Sequence, residues 1–283
     1  MLSRRLAAQA LLAASIAPPL RTPAATPPPP APLAAVAGGF LIPSSQYSTY
    51  CRKLDDLGCA ALSYTDASTL TSPLPIADGA ASLLVNLNEL SQSGAASLKG
   101  VTAESPLVLW GHSRGCKTVV EAAAQSKRRV AAMVLVDPVD AVPGRDPSSC
   151  LNELAKLDNV PTLILGTGGH NADFSDCAPE GCNYKIFADA LAKSRAPRLL
   201  GVLGGAGHTQ FVDQRGVLLV DICTTGKDPD SCVHDVTLEA TERWVAAATS
   251  RDPKRELREA AKALRSKEFG TSVQWEEGDL DLA

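Results

Sequence analysis

Pro106-Leu107-Val108-Leu109-Trp110-Gly111-His112-Ser113-Arg114-Gly115 runs straight into the small-residue stretch Lys117 to Ala124. The first residues are apolar over the length of a buried strand, and the last are small and spaced for a helix. Between them stands Gly-x-Ser-x-Gly. A serine in that motif, with a strand before it and a helix after it, sits on a sharp strained turn that pushes its hydroxyl out beyond the sheet. Glycines at 111 and 115 keep side chains out of the crowded turn. The backbone N–H of Arg114, at the helix start, points to where an oxyanion would form.

The rest of the chain alternates in the same way. Leu33 to Val36, Cys59 to Tyr64, Val130 to Val136, Pro161 to Gly166 and Arg198 to Leu203 read as strands. Tyr47 to Leu57, Asp78 to Leu90, Tyr184 to Lys193 and Val236 to Ala248 read as helices between or after them. Strands alternating with helices predict an α/β protein, a mostly parallel sheet covered by helices on both faces. The 283 residues are 45% apolar and 20% charged, ordinary for a globular chain. The net charge of −4 and the lack of a basic stripe argue against a nucleic-acid partner. No apolar run reaches the length of a membrane span.

Residues 1–32 hold Arg4, Arg5 and Arg21, many alanines, a proline run from Pro27, and no acid. They are expected to be a transit or signal segment outside the fold. Residues 33–250 are expected to form the catalytic domain. Residues 251–283 are expected to be a tail with a charged helix, Glu256 to Lys267, and a loose acidic end. The eight cysteines show no C-x-x-C metal or redox spacing. Cys177/Cys182 and Cys223/Cys232 are close enough to form local disulfides, with unpaired thiols the other reading.

A serine needs a base to take its proton and an acid to hold that base. In an α/β-hydrolase the order along the chain is serine, acid, histidine, each in a loop after a strand. Of the four histidines, His112 lies inside the turn, His170 follows the Pro161 strand, and His234 precedes the last core helix as a surface or capping residue. His208, in Gly204-Gly205-Ala206-Gly207-His208 after the last strand, is the candidate base. For the acid, order alone leaves Asp137 and Asp173 nearly equal, with Asp140 and Asp176 close by. Gly38-Gly39-Phe40, after the first strand, offers the Phe40 N–H as a second oxyanion donor.

These motifs together resemble the chlorophyllase family of plant and algal esterases. Gly111 to Lys117 matches the family's Gly-His-Ser-Arg-Gly-Gly-Lys except at Cys116. Asp137-Pro138-Val139-Asp140 matches its Asp-Pro-Val-Asp, and Cys177 to Asn183 a later Cys-Ala-Pro-x-Gly-x-Asn stretch. Gly207-His208 with Asp213, and Gly39-Phe40 before Ser44 to Tyr50, are similar as well. The likeness spans residues 38 to about 250. It implies an α/β-hydrolase, here lacking the family's N-terminal strands, and it departs from the family at Gly38, where the family has histidine. It implies Asp137 as the acid, giving Ser113, Asp137 and His208 as catalytic residues with Phe40 and Arg114 at the oxyanion hole. It further implies cleavage of the chlorophyll ester to chlorophyllide and phytol, with no metal or cofactor. A chloroplast location and peripheral contact with a pigment-bearing membrane go with that reading, a secretory route being the other one for the leader. A general lipase or carboxylesterase with the same triad is the nearest rival. A hydrolase-like protein that binds a pigment without cleaving it is the rival from another class.

Overall fold

The computed structural model describes residues 29–69, 72–142, 146–168, 177–179, 181–214, 223, 225–278 and 280. The expected leader, residues 1–32, therefore lies almost wholly outside the described residues. Its last residues already belong to the fold, because Ala31 N–H donates to Gly100 O and Pro32 O accepts from Ala60 N–H.

In chain order the elements are β1 (Leu33–Ala37), α1 (Ser48–Asp56), β2 (Ala60–Tyr64), α2 (Ile76–Ser91), α3 (Gly94–Leu98), β3 (Leu107–His112), α4 (Gly115–Gln125) and β4 (Val130–Val136). They continue with α5 (Leu151–Leu154), β5 (Thr162–Thr167), α6 (Tyr184–Leu191), β6 (Arg198–Leu203), α7 (Asp230–Ala248), α8 (Pro253–Ser266) and β7 (Val273–Glu277). Single 3₁₀ turns at Ser44–Tyr47 and His208–Phe211 flank the site. The strands form one sheet in the order β2-β1-β3-β4-β5-β6-β7. The first six are parallel, and β7 runs antiparallel to β6. A mostly parallel sheet between two helical layers is the α/β-hydrolase architecture that the sequence predicts. Among the described residues, no strand pairs with the outer edge of β2.

The two-residue period of a strand divides the core into two layers. Ala34, Val36, Val108, Trp110, Val134 and Leu165 face α1, α7 and α8. Leu33, Ala35, Leu107, Leu109, Met133 and Ile164 face α2, α4 and α6. Strands buried on both faces carry no polar face, which is why β3 and β4 read as unbroken apolar runs. Trp110, fully buried, stacks on Tyr50 at 4.5 Å and donates from Nε1 to Thr241 Oγ1 on α7.

The structure changes three expectations. Residues 251–283 are not a separate tail. Leu257, Ala260, Ala261 and Leu264 repeat along one stripe of α8 and are buried against α7, while β7 completes the sheet with Trp275 lying over Gly201. The charge on α8 occupies its outer face and hides the apolar stripe in a composition count. Secondly, α7 begins at Asp230, so His234 lies within it and bonds Val212 O at 3.0 Å. Thirdly, the one disulfide among the described residues joins Cys177 to Cys223, so neither the 177/182 nor the 223/232 pairing forms. Folding brings the two loops together across 46 residues of sequence, which local spacing could not reveal.

Candidate active site

β3 delivers the site. It ends at His112, α4 starts at Gly115, and Ser113 between them has φ +56°. That left-handed conformation in a residue with a side chain costs on the order of 1–3 kcal/mol and persists only where the surroundings enforce it. They do so here. A Cβ at Gly115 would overlap the Ala37 carbonyl, and one at Gly111 would come within 2.8 Å of the Cys116 backbone. Ser113 N–H donates to Val136 O at 3.0 Å, and Ser113 O accepts from Cys116 N–H at 3.0 Å.

The next strand carries the carboxylate expected to be the acid. Asp137 follows β4 directly, also at positive φ, +37°, and its N–H donates to Leu165 O at 2.6 Å. The carboxylate is fully buried. It accepts from Thr167 N–H at 3.0 Å and from Thr167 Oγ1–H at 3.1 Å. His208 opens the 3₁₀ turn after β6. That turn is tied by Gly207 N–H to Gln210 Oε1 at 2.8 Å, and Gln210 Nε2 donates onward to Asp230 and the Asp228 carbonyl. The three loops converge. His208 Nδ1 lies 2.7 Å from Asp137 Oδ2, and His208 Nε2 lies 2.8 Å from Ser113 Oγ. Asp140 sits elsewhere, accepting from Cys150 N–H at 3.0 Å. Asp173, Asp176 and His170 fall outside the described residues.

The turn Gly39-Phe40 closes the other side. A Cβ at Gly39 would lie 3.1 Å from that of Ser113, so the backbone here approaches the serine as closely as glycine allows. Gly39 N–H is taken by Tyr47 Oη at 2.9 Å. The N–H groups of Phe40 and Arg114 donate to no described residue. The Phe40 ring is half-buried, with the Arg114 guanidinium 5.9 Å from its centre.

Arg114 also anchors the site from below. Its guanidinium reaches Asp66, the Leu74 carbonyl and, at 2.8 Å, Asp146. Lys117, one turn further along α4, places Nζ 2.7 Å from the same Asp146 and 3.0 Å from Ser148 O. Burial alone would raise the Asp146 carboxyl, but Lys117, Ser148 and Arg114 outweigh it and hold it at about 2. Two long loops are thus pinned to the helix that starts at the serine. The sequence supplied Arg114 and Lys117 as motif positions; their partners come from distant loops and carry no spacing signal.

His112 is fully buried beside His208, ring centres 4.9 Å apart. Burial and the neighbouring His208 lower it to about 3, so it is neutral at physiological pH. Cys116, where the resembling motif has glycine, directs its Sγ to Gly111 O at 3.1 Å, and burial pushes its thiol well above the ordinary value. Among the described residues no group of three His, Cys, Asp or Glu side chains could hold a metal ion, and no helix is long and apolar enough to cross a membrane.

A buried serine-histidine-carboxylate relay beside two undirected N–H groups is suited to acyl transfer: deprotonate a hydroxyl, attack a carbonyl, hold the resulting oxyanion. No curated protein matches the chain. The family model described as Chlorophyllase matches residues 84–237. That stretch covers just over half the chain, from within α2 to within α7, and includes Ser113, Asp137 and His208. On that match the chain belongs to the chlorophyllase family.

Proposed function

We propose that the protein is a serine esterase that cleaves the carboxylic ester of chlorophyll, releasing chlorophyllide and phytol. The observation that carries the esterase reading is the continuous relay from Ser113 Oγ through His208 to Asp137 at 2.8 and 2.7 Å. Membership of the family supports the pigment as substrate. Ser113 Oγ attacks the ester carbonyl while His208 Nε2 takes its proton. Asp137, fixed by Thr167, keeps the proton on Nδ1 and stabilises the imidazolium. The N–H groups of Arg114 and Phe40 receive the oxyanion, each worth about 3 kcal/mol in the transition state. His208 then gives its proton to the departing alcohol, and water repeats the sequence on the acyl-enzyme. In this reading the rim of the cleft is drawn from residues 43–50, which fold as a 3₁₀ turn and the start of α1, and from the described parts of 143–151 and 166–183. A chloroplast location and contact with a pigment-bearing membrane are part of the same proposal and rest on the sequence alone.

The test mixes the full chain with chlorophyll a in detergent and reads chlorophyllide left in aqueous acetone after hexane extraction, beside a short p-nitrophenyl ester. Ser113→Ala should fold normally and release neither product. Turnover of the short ester alone would move the protein to the general esterases. Silence on both from folded protein would leave a non-catalytic binder.

A further inference from the structure

The relay accounts for Ser113, His208 and Asp137, but not for why a tyrosine and a second histidine are buried against it. Tyr47 and His112 are both fully buried, and each makes bonds at both ends. His112 Nε2 lies 3.0 Å from the carbonyl oxygen of His208. A carbonyl can only accept, so the proton of the neutral ring sits on Nε2 and Nδ1 is a bare acceptor. Tyr47 Oη, 2.7 Å from that Nδ1, must therefore donate to it. With its proton so directed, Oη offers its lone pairs to Gly39 N–H at 2.9 Å. Every donor has one acceptor, and the chain runs in one direction: Gly39 N–H to Tyr47 O–H to His112, and His112 N–H to the His208 carbonyl.

We infer that Tyr47 and His112 form a buried hydrogen-bonded strut that sets the oxyanion turn at a fixed distance from the general base, so both are positioning residues for acyl transfer. One end of the strut holds the N–H immediately before Phe40, at the glycine whose backbone approaches Ser113. The other end holds the backbone of the residue that takes the serine proton. These two loops leave the sheet from β1 and β6, four strands apart in the order of the sheet. A second tie runs in parallel at the surface, where Asp213 accepts from Ser48 Oγ–H and Thr49 N–H and its own N–H donates to Gln46 O. The strut is the tie that touches the reacting residues' own backbone. Misplacement of about 1 Å in such a site is enough to cost on the order of a hundredfold in rate.

The inference rests on the serine-esterase reading, and the test separates the two. Tyr47→Phe keeps the ring against Trp110 and removes only the hydroxyl. His112→Gln keeps an N–H donor near the Nε2 position, whereas His112→Leu keeps neither bond. Each is assayed for kcat and KM on a p-nitrophenyl ester, for inhibition by phenylboronic acid, whose adduct on Ser113 fills the oxyanion site, and for its urea midpoint. Expected are a roughly tenfold loss in kcat for Tyr47→Phe with KM little changed, an equal loss of boronic acid affinity, and a milder defect for His112→Gln than for His112→Leu. The Tyr47→Phe/His112→Leu double variant should be no worse than the worse single one, since both cut one strut. Normal kcat with only a lowered urea midpoint would reduce the pair to core filling and overturn the inference. Losses that multiply in the double variant would overturn it too, because the residues would then act separately. Active wild type with unaffected variants would sink the strut alone. A wild type that neither hydrolyses the ester nor reacts with a fluorophosphonate at Ser113 would sink the esterase reading and the strut with it.

Discussion

Asp146→Ala should damage this protein far more than the loss of a surface carboxylate would. Asp146 is shared by two cations, and the side chains of Lys117 and Arg114 are only 1% and 7% exposed. Removing one partner of a buried pair strands the other charge in a poorly solvated place, which typically costs about 3–5 kcal/mol. Here the lower end applies. Lys117 Nζ keeps the Ser148 carbonyl, and Arg114 keeps Asp66 and the Leu74 carbonyl. At about 2–4 °C per kcal/mol for a domain of this size, a loss of about 3 kcal/mol lowers Tm by roughly 6–12 °C. Thermal unfolding at neutral pH measures it. Pairing the change with Lys117→Met should recover part of the loss, because the stranded ammonium is then gone. The pH dependence has a definite sign. The folded carboxyl titrates at about 2, below its ordinary 3.8. Its stabilisation is therefore complete above about pH 5, and it is lost as pH falls through the ordinary value towards 2. The gap between wild type and Asp146→Ala should be constant from pH 7 to 5 and close below that. A Tm change under about 2 °C at pH 7, or a gap that closes as pH rises instead, would refute the reasoning.

Other predictions concern the relay and the frame around it. Asp137→Asn should lower kcat on a p-nitrophenyl ester by up to about ten-thousandfold with little change in fold, since an amide cannot hold the same histidine tautomer; steady-state kinetics and circular dichroism together decide it. Ending the chain after Ser250 removes α8 and β7, uncovers the face of α7 on which α8 packs and leaves the edge of β6 open, so the product should be insoluble or lack a cooperative melt. Cys177→Ser with Cys223→Ser should lower stability by up to about 4 kcal/mol on the chain-entropy estimate for a loop of this length, read as a urea midpoint that dithiothreitol shifts in wild type only.

The sequence carried the centre of this molecule more fully than its margins. Strand, Gly-x-Ser-x-Gly and helix are adjacent in the chain, and their chemistry is local, so Ser113 could be read directly. His208 followed because a glycine-rich loop after the last parallel strand leaves few candidates. The carboxylate that meets His208 was harder. Asp137 and Asp173 both follow strands, and chain order alone does not choose between them; only the Asp-Pro-Val-Asp likeness separated them. What could not be read is what folding brings together from far apart. The Arg114 and Lys117 partners lie 29 to 48 residues away, and Cys177 finds Cys223 rather than its neighbour Cys182. His112 looked like a spectator of the turn because its bonds go to Tyr47 and to a backbone carbonyl. The region after Ser250 misled by composition, since four apolar residues in a strongly charged helix are conspicuous only when plotted around its axis.

The position of β7 bears on how the molecule is made. Chains emerge from the ribosome amino end first at about 5–20 residues per second, and early segments begin to fold before later ones exist. Strands β1 to β6 can assemble in the order in which they appear, yet β6 then presents an unsatisfied backbone edge until residues 273–277 follow. Across that interval of some 70 residues the nascent sheet has an open rim next to the very strand that leads into the His208 turn. Unpaired rims of this kind recruit other chains. Yield of this protein should thus be limited by what shields β6 during synthesis, and slowing translation between codons 204 and 272 should lower the soluble fraction without altering the finished fold.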